Sequence, residues 1–226
     1  MPFELDIRHE NLSYVGRFAY PLFELWGSGG VILKGLYGAL ASYGVTLQNV
    51  QVHGNVQSAS EPVVTVQVPK FGALKFSFER IEFSFEDFTV EFFESIPALL
   101  NAAVLWIVKA VPGFKFVSHQ FTYFTHAFVK DSTPEQVLRG VNIRELKSAG
   151  ISLGNGAIFN FSVPQKNWET QLIMDRSKHL NGALFVSLAV TVRSGEVEYA
   201  KLLEEGRAYF RGILSELELS IPEVEE

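Results

Sequence analysis

The densest chemistry in the chain is the run Asp175, Arg176, Ser177, Lys178 and His179, which puts a carboxylate, two cations, a hydroxyl and an imidazole on five consecutive residues. Acid–base and nucleophilic catalysis use groups of these types, so Asp175, Arg176 and His179 are the catalytic candidates if the protein is an enzyme. The flanks give a simpler reading. The run lies between two apolar extended segments and just before Asn181-Gly182, a strong hairpin dipeptide, so a solvated turn is expected.

The five histidines are His9, His53, His119, His126 and His179. None belongs to an HExxH pattern or another tight ligand spacing, so no metal site is expected. On a regular strand from Phe114, His126 shares a face with Phe116 and Phe124, while His119 points the other way with Val117 and Phe121. The two histidines then cannot share a ligand, and Phe116, Phe124 and His126 are the ligand-binding candidates. A hydrogen-bonded structural role is the commoner fate of such histidines.

Other motifs fail on inspection. Gly27-Ser28-Gly29-Gly30 before a helix could turn backbone N–H groups toward an anion, but Lys34 followed by Gly35 breaks the P-loop pattern. SxxK is absent. Glu79, Glu82 and Glu86 alternate with Phe and read as the wet face of a sheet, with nothing to favour a glycosidase pair. No cofactor is implied.

The elements that must position these residues are dictated by an apolar sequence. Of 226 residues, 47% are hydrophobic and 13% aromatic against 19% charged, enough for a substantial core. The net charge of -6 leaves no basic footprint for nucleic acid. Cys is absent, and the opening MPFELDIRHE has no basic start leading into an apolar core, so a cytoplasmic location is expected. The sequons at Asn11 and Asn160 then read as chance matches. The run Ile96 to Val111, interrupted by Pro97, Asn101 and Lys109, reads as a deeply buried helix and not as a membrane span.

Phe71 to Phe93 holds eight of the 20 Phe. Leu74, Phe76 and Phe78 take even positions, whereas Ile81, Phe83 and Phe85 take odd ones. A regular strand cannot put both sets on one face, so a bulge near Glu79-Arg80 is expected, or else a strand covered on both sides. Upstream, an extended opening leads to a short helix capped by Ser28 and stopped by Gly44, then strands over Val45 to His53 and Val63 to Val68. Downstream come the Ile96 to Ala110 helix, a strand over Phe114 to Val129 and a short helix from Thr133 to Arg139. Strands near Ala157 to Val163, Trp168 to Met174 and Ala183 to Val192 precede a helix from Glu196 to Leu217, opened by Gly195. Asn142 to Ala149 has no clear pattern, and Pro222 to Glu226 reads as a frayed acidic end.

This order predicts an α+β fold with antiparallel sheet or sheets packed against two long helices, with two pseudo-repeated strand-helix-three-strand-helix halves as an option. The halves would span 1–113 and 114–226, tightly packed as one globular unit. The aromatic strand FKFVSHQFTYFTHAF entering TPEQ, and LFVSLAVTV followed by EYAKLLEEGRAYFRGIL, resemble a sporadically distributed, uncharacterised family of bacterial proteins. That resemblance implies no activity, cofactor or site residue. With the HExxH, P-loop and SxxK patterns missing and aromatics in excess, the expected function is non-catalytic: binding or interaction through an apolar cavity or an aromatic-rich surface. The partner would be another protein, a second copy, or an apolar small molecule. The alternatives are an enzyme with a polar site near Asp175 to His179, or a structural self-assembling protein.

Overall fold

The computed structural model describes residues 3–26, 29–54, 62–87, 90–141, 156–193 and 196–221. Ser28, Phe88, Asn142 to Ala149, Gly195 and Pro222 to Glu226, to which the sequence reading gave roles, lie outside the described residues. The strands are β1 (Phe3–Phe18), β2 (Val50–His53), β3 (Val63–Val68), β4 (Gly72–Phe76), β5 (Arg80–Phe85), β6 (Phe116–Val129), β7 (Ala157–Val163), β8 (Trp168–Arg176), β9 (Leu184–Val192) and β10 (Leu219–Ser220). The helices are α1 (Phe23–Trp26), α2 (Gly29–Leu40), α3 (Val90–Ala110), α4 (Pro134–Val141) and α5 (Tyr199–Glu216).

All ten strands join one sheet in the order β2-β3-β4-β5-β1-β6-β9-β8-β7, with β10 beside β1. This overturns the expected architecture. Strand makes up 41% and helix 36%, and the sheet, not a pair of long helices, organises the fold. Nor do two repeated halves follow one another. The compact units interleave: one takes 1–11, 122–190 and 205–226, and the other takes 12–121 and 191–204. The chain of β1, β6, β9 and α5 passes from one unit to the other, a non-local arrangement that periodicity within short windows cannot reveal.

In the unit built on 12–121, β2 to β5 form an antiparallel meander that continues onto the second part of β1. The expected bulge at Glu79-Arg80 is instead a tight hairpin. Ser77 N–H donates to the Arg80 carbonyl at 3.0 Å, and Phe76 pairs with Ile81 and Leu74 with Phe83. Partners directly opposite in an antiparallel pair share a face, so reversing the chain puts both apolar sets in one core without a phase defect. Gly72 closes the other end of the pair: at φ 125° a Cβ there would lie 2.0 Å from the Ser84 carbonyl oxygen.

The expected strand over Val45 to His53 is also shorter than read. The Asn49 side-chain oxygen accepts from the Thr46 N–H at 2.8 Å and from its hydroxyl at 2.7 Å. That local bonding winds Leu47–Asn49 into a 3₁₀ turn and leaves only Val50–His53 extended.

Helix α3 packs one stripe inward, with Ile96, Leu99, Leu100, Ala103 and Ile107 fully buried, as spacings of three and four require. The expectation of a deeply buried helix is corrected, because only 28% of the stretch Phe92–Ala110 is buried. By length and composition alone that stretch could cross a membrane. Helix α2 buries Ile32, Leu36 and Leu40 in the same manner, and the Trp106 indole of α3 lies directly over Gly35, where a Cβ would be 1.8 Å from ring atoms.

In the other unit, β7 and β8 pair antiparallel from Ala157↔Met174 to Val163↔Trp168, and β10 runs parallel to the start of β1 through Phe3↔Leu219. Gly206 of α5 lets the Tyr123 ring approach, since a Cβ there would fall 2.7 Å from the phenol oxygen. Tyr123 and Phe210 stack with centroids 6.3 Å apart.

Candidate functional site

Asp175 and Arg176 of the polar run end β8, and Ser177 to His179 open the turn that leads to β9. Ser177 N–H donates to the Ala183 carbonyl at 2.8 Å and Ala183 N–H to the Leu180 carbonyl at 3.2 Å, with Gly182 at φ 79°. The Ser177 hydroxyl organises the turn: its oxygen accepts from the backbone N–H of His179 at 3.1 Å and of Leu180 at 2.8 Å. It also lies 2.8 Å from Nδ1 of the buried His126. A hydroxyl has two lone pairs and one hydrogen. With both lone pairs engaged by amides, Ser177 donates to His126 and Nδ1 is the acceptor.

Around His126 stand the rings of His179 at 5.3 Å, Phe185 at 5.1 Å, His9 at 6.3 Å and Phe124 at 6.5 Å. The strand thus brings His126 and Phe124 together, and the turn adds His179. Asp175 and Arg176 go elsewhere. An Asp175 carboxylate oxygen accepts from Arg176 N–H at 2.7 Å, and the Arg176 guanidinium pairs with Glu135 of α4 at 2.7 Å. The Glu135 carboxyl is held below its ordinary range, first by its own backbone N–H and then by the Thr133 hydroxyl. Ser177 and His126 have the contact of a nucleophile with its base, but a serine whose lone pairs are both taken is a turn clamp, not a poised nucleophile. No group of three His, Asp or Glu among the described residues could hold a metal ion.

The remaining candidate, Phe116, belongs to the other unit, where it meets His119 with centroids 4.5 Å apart. The two were expected on opposite faces. They meet because the buried positions shift phase at Ser118-His119: Phe116 and Ser118 are buried, then His119, Phe121 and Tyr123, while Val117 is 54% exposed. His119 Nδ1 bonds the Tyr14 hydroxyl at 2.9 Å, and that hydroxyl meets the Tyr199 hydroxyl at 3.0 Å. Gly16 makes room, since a Cβ there would be 2.5 Å from the Tyr14 oxygen. Burial pushes the Tyr14 phenol well above its ordinary value, with Tyr199 adding to the rise, and burial pushes Tyr199 up to about 12. Both phenols are neutral, and with Tyr14 fully buried and His119 1% exposed the chain of bonds presents no group to a substrate.

Two cavities formed by described residues of this same unit stand out. One, of about 520 Å³, opens on the sheet between β2 and β5 and is lined by His53, Thr65, Lys75, Ser77, Arg80 and Glu82. Glu82 stands opposite Lys75 in register and pairs with Arg80, a mixed-charge lining as expected of the wet face of a sheet. The second, of about 610 Å³, is a groove between α2 and α3 lined by Val31, Lys34, Gly35, Gly38, Ala39, Ala102, Leu105, Trp106 and Lys109. Its floor is glycine, alanine and indole, and its rim is apolar and exposed: Leu105 51%, Val31 43%, with Val108 and Tyr37 alongside at 48% and 38%.

The sequence reading missed this groove. The signal was present in Leu105 and Val108, which fall outside the inward stripe of α3 and yet are apolar, whereas a helix exposed to water carries polar residues there. A scan against protein-family models finds no match and neither does a search of curated proteins, so the bacterial-family resemblance brings no residue role to any of these places.

Proposed function

We propose that the protein acts by binding, and that the α2–α3 groove is where it does so. The observation that carries this reading is a concave apolar surface of about 610 Å³ whose rim exposes large apolar side chains on two adjacent helices. Exposed apolar surface costs solubility and persists on stable proteins mainly where something covers it. Catalysis has less to draw on. The contact of Ser177 with His126 clamps a turn, and the tyrosine–histidine chain is buried.

A fluorescent hydrophobic dye added to the folded protein tests this reading. Dye uptake that falls at least fivefold in Leu105→Glu, with the melting temperature unchanged, is the expected result. Uptake indifferent to Leu105→Glu refutes the groove as a binding surface. Light scattering on the same samples addresses the self-assembly alternative, which requires particles larger than one chain.

A further inference from the structure

We infer that the partner of the α2–α3 groove is the surface of an anionic lipid bilayer. This inference rests on the groove being a binding surface. Three observations favour lipid. First, among the described residues the only charged side chains lining the groove are Lys34 and Lys109 and no carboxylate lines it, and neither lysine forms an ion pair there. On a chain of net charge -6, two uncompensated cations flanking an apolar floor select a partner that is apolar with anionic groups at its edge. A second copy docked about a two-fold axis would bring four lysines together over the same groove, which charge opposes.

Second, the exposed face combines Leu105, Val108 and Val31 with Tyr37 and the half-buried Trp106. Aliphatic side chains for the acyl region, aromatic rings for the headgroup level and long lysines for the phosphates are the composition of helices that lie in a membrane interface. Third, α3 is apolar and long enough to span, yet one face of it is tied down by Ile96, Leu99, Leu100, Ala103 and Ile107 packed into the core. A helix held on one face cannot insert without unfolding the unit, so contact with lipid is by its outer face, in the plane of the surface.

The full chain is sedimented with phosphatidylcholine vesicles and with vesicles containing phosphatidylglycerol. The expected result is partition onto the anionic vesicles only, weakened by added salt. Lys34→Gln with Lys109→Gln is expected to lower the partition coefficient about thirtyfold, since each lysine near an anionic surface contributes about fivefold. Leu105→Glu abolishes binding, and unchanged circular dichroism and melting in these variants shows that folding is intact. Trp106→Phe removes the blue shift of tryptophan emission that binding produces while leaving sedimentation in place.

Protein that stays in the supernatant with anionic vesicles at low salt overturns the inference, as does partition that Leu105→Glu leaves untouched. If dye uptake is sensitive to Leu105→Glu but vesicles are ignored, the lipid inference falls and the binding reading stands. If neither depends on Leu105, both fall. A dimer in light scattering that Leu105→Glu dissociates, without vesicle binding, assigns the groove to a second copy and likewise overturns the lipid assignment.

Discussion

Gly35 and Gly38 stand one turn apart on α2, both line the groove, and they should respond to alanine with opposite signs. In an exposed helix interior, replacing glycine by alanine stabilises by up to about 1 kcal/mol, because glycine loses more backbone freedom on folding. Gly38 should show that gain, since a Cβ there meets nothing within 4 Å. At Gly35 the same methyl would lie 1.8 Å from two Trp106 ring atoms and 2.4 Å from a third, so the indole must lift away. A tryptophan buries roughly 200 Å², and lifting the partly exposed Trp106 indole off α2 uncovers about half of that. Returning about 100 Å² to water at ~25 cal/mol per Å² costs about 2.5 kcal/mol. Setting the helix gain against it leaves Gly35→Ala less stable by about 1.5 kcal/mol. Urea unfolding of the two variants measures the difference, expected at about 2 to 3 kcal/mol between them. Equal shifts, or a stabilised Gly35→Ala, would refute the packing of Trp106 on α2 and with it the shape of the groove.

Tyr14→Phe keeps the ring and removes the hydroxyl that joins His119 to Tyr199; leaving buried polar partners without it should cost about 2 to 3 kcal/mol in urea unfolding, and a loss below about 0.5 kcal/mol would contradict the bonding described. The same cluster sets an alkaline limit. Tyr199 titrates near 12 when folded against an ordinary 10, so its contribution is fully present below pH 10 and is lost as pH rises toward 12, about 3 kcal/mol in all. Stability measured between pH 9 and 12 should therefore fall more steeply in the parent than in Tyr199→Phe. Ser177→Ala should cost about 1 to 2 kcal/mol and speed amide exchange at His179 and Leu180, whose N–H groups lose their acceptor. Exchange unchanged at both sites would mean that the hydroxyl does not hold the turn.

Local chemistry was legible wherever one short segment decides the outcome. Asn181-Gly182 announced the turn after β8, the apolar run from Ile96 to Val111 announced α3, and the alternation of Leu184 to Val192 announced β9. Readings failed where partners distant in sequence decide. Phe76 and Ile81 looked like a phase error within one strand because only pairing shows that the chain has reversed between them. Phe116 and His119 looked opposed because the shift at Ser118-His119 depends on what packs against the strand. The groove was hidden for a related reason: Leu105 and Val108 are as apolar as core residues, and composition cannot tell an apolar side chain facing the interior from one facing outward. Ser177 was visible only as a member of a polar run. Its role emerged from counting lone pairs at 2.8 and 3.1 Å.

The parallel pairing of Phe3 with Leu219 bears on how the protein is made. On the ribosome β1 emerges first, yet the strand that flanks its opening residues arrives almost a full chain later. At roughly 5 to 20 residues per second that interval is about 10 to 40 s. The stretch 12–121 supplies most of one unit in a single uninterrupted piece and can begin to assemble early. The other unit has the opening of β1 waiting, with the edge at Phe3 and Glu4 unpaired, until α5 and Leu219 leave the exit tunnel. Nascent chains halted before residue 205 should thus carry a sticky amino-terminal strand, and they are the state in which this protein most needs a chaperone.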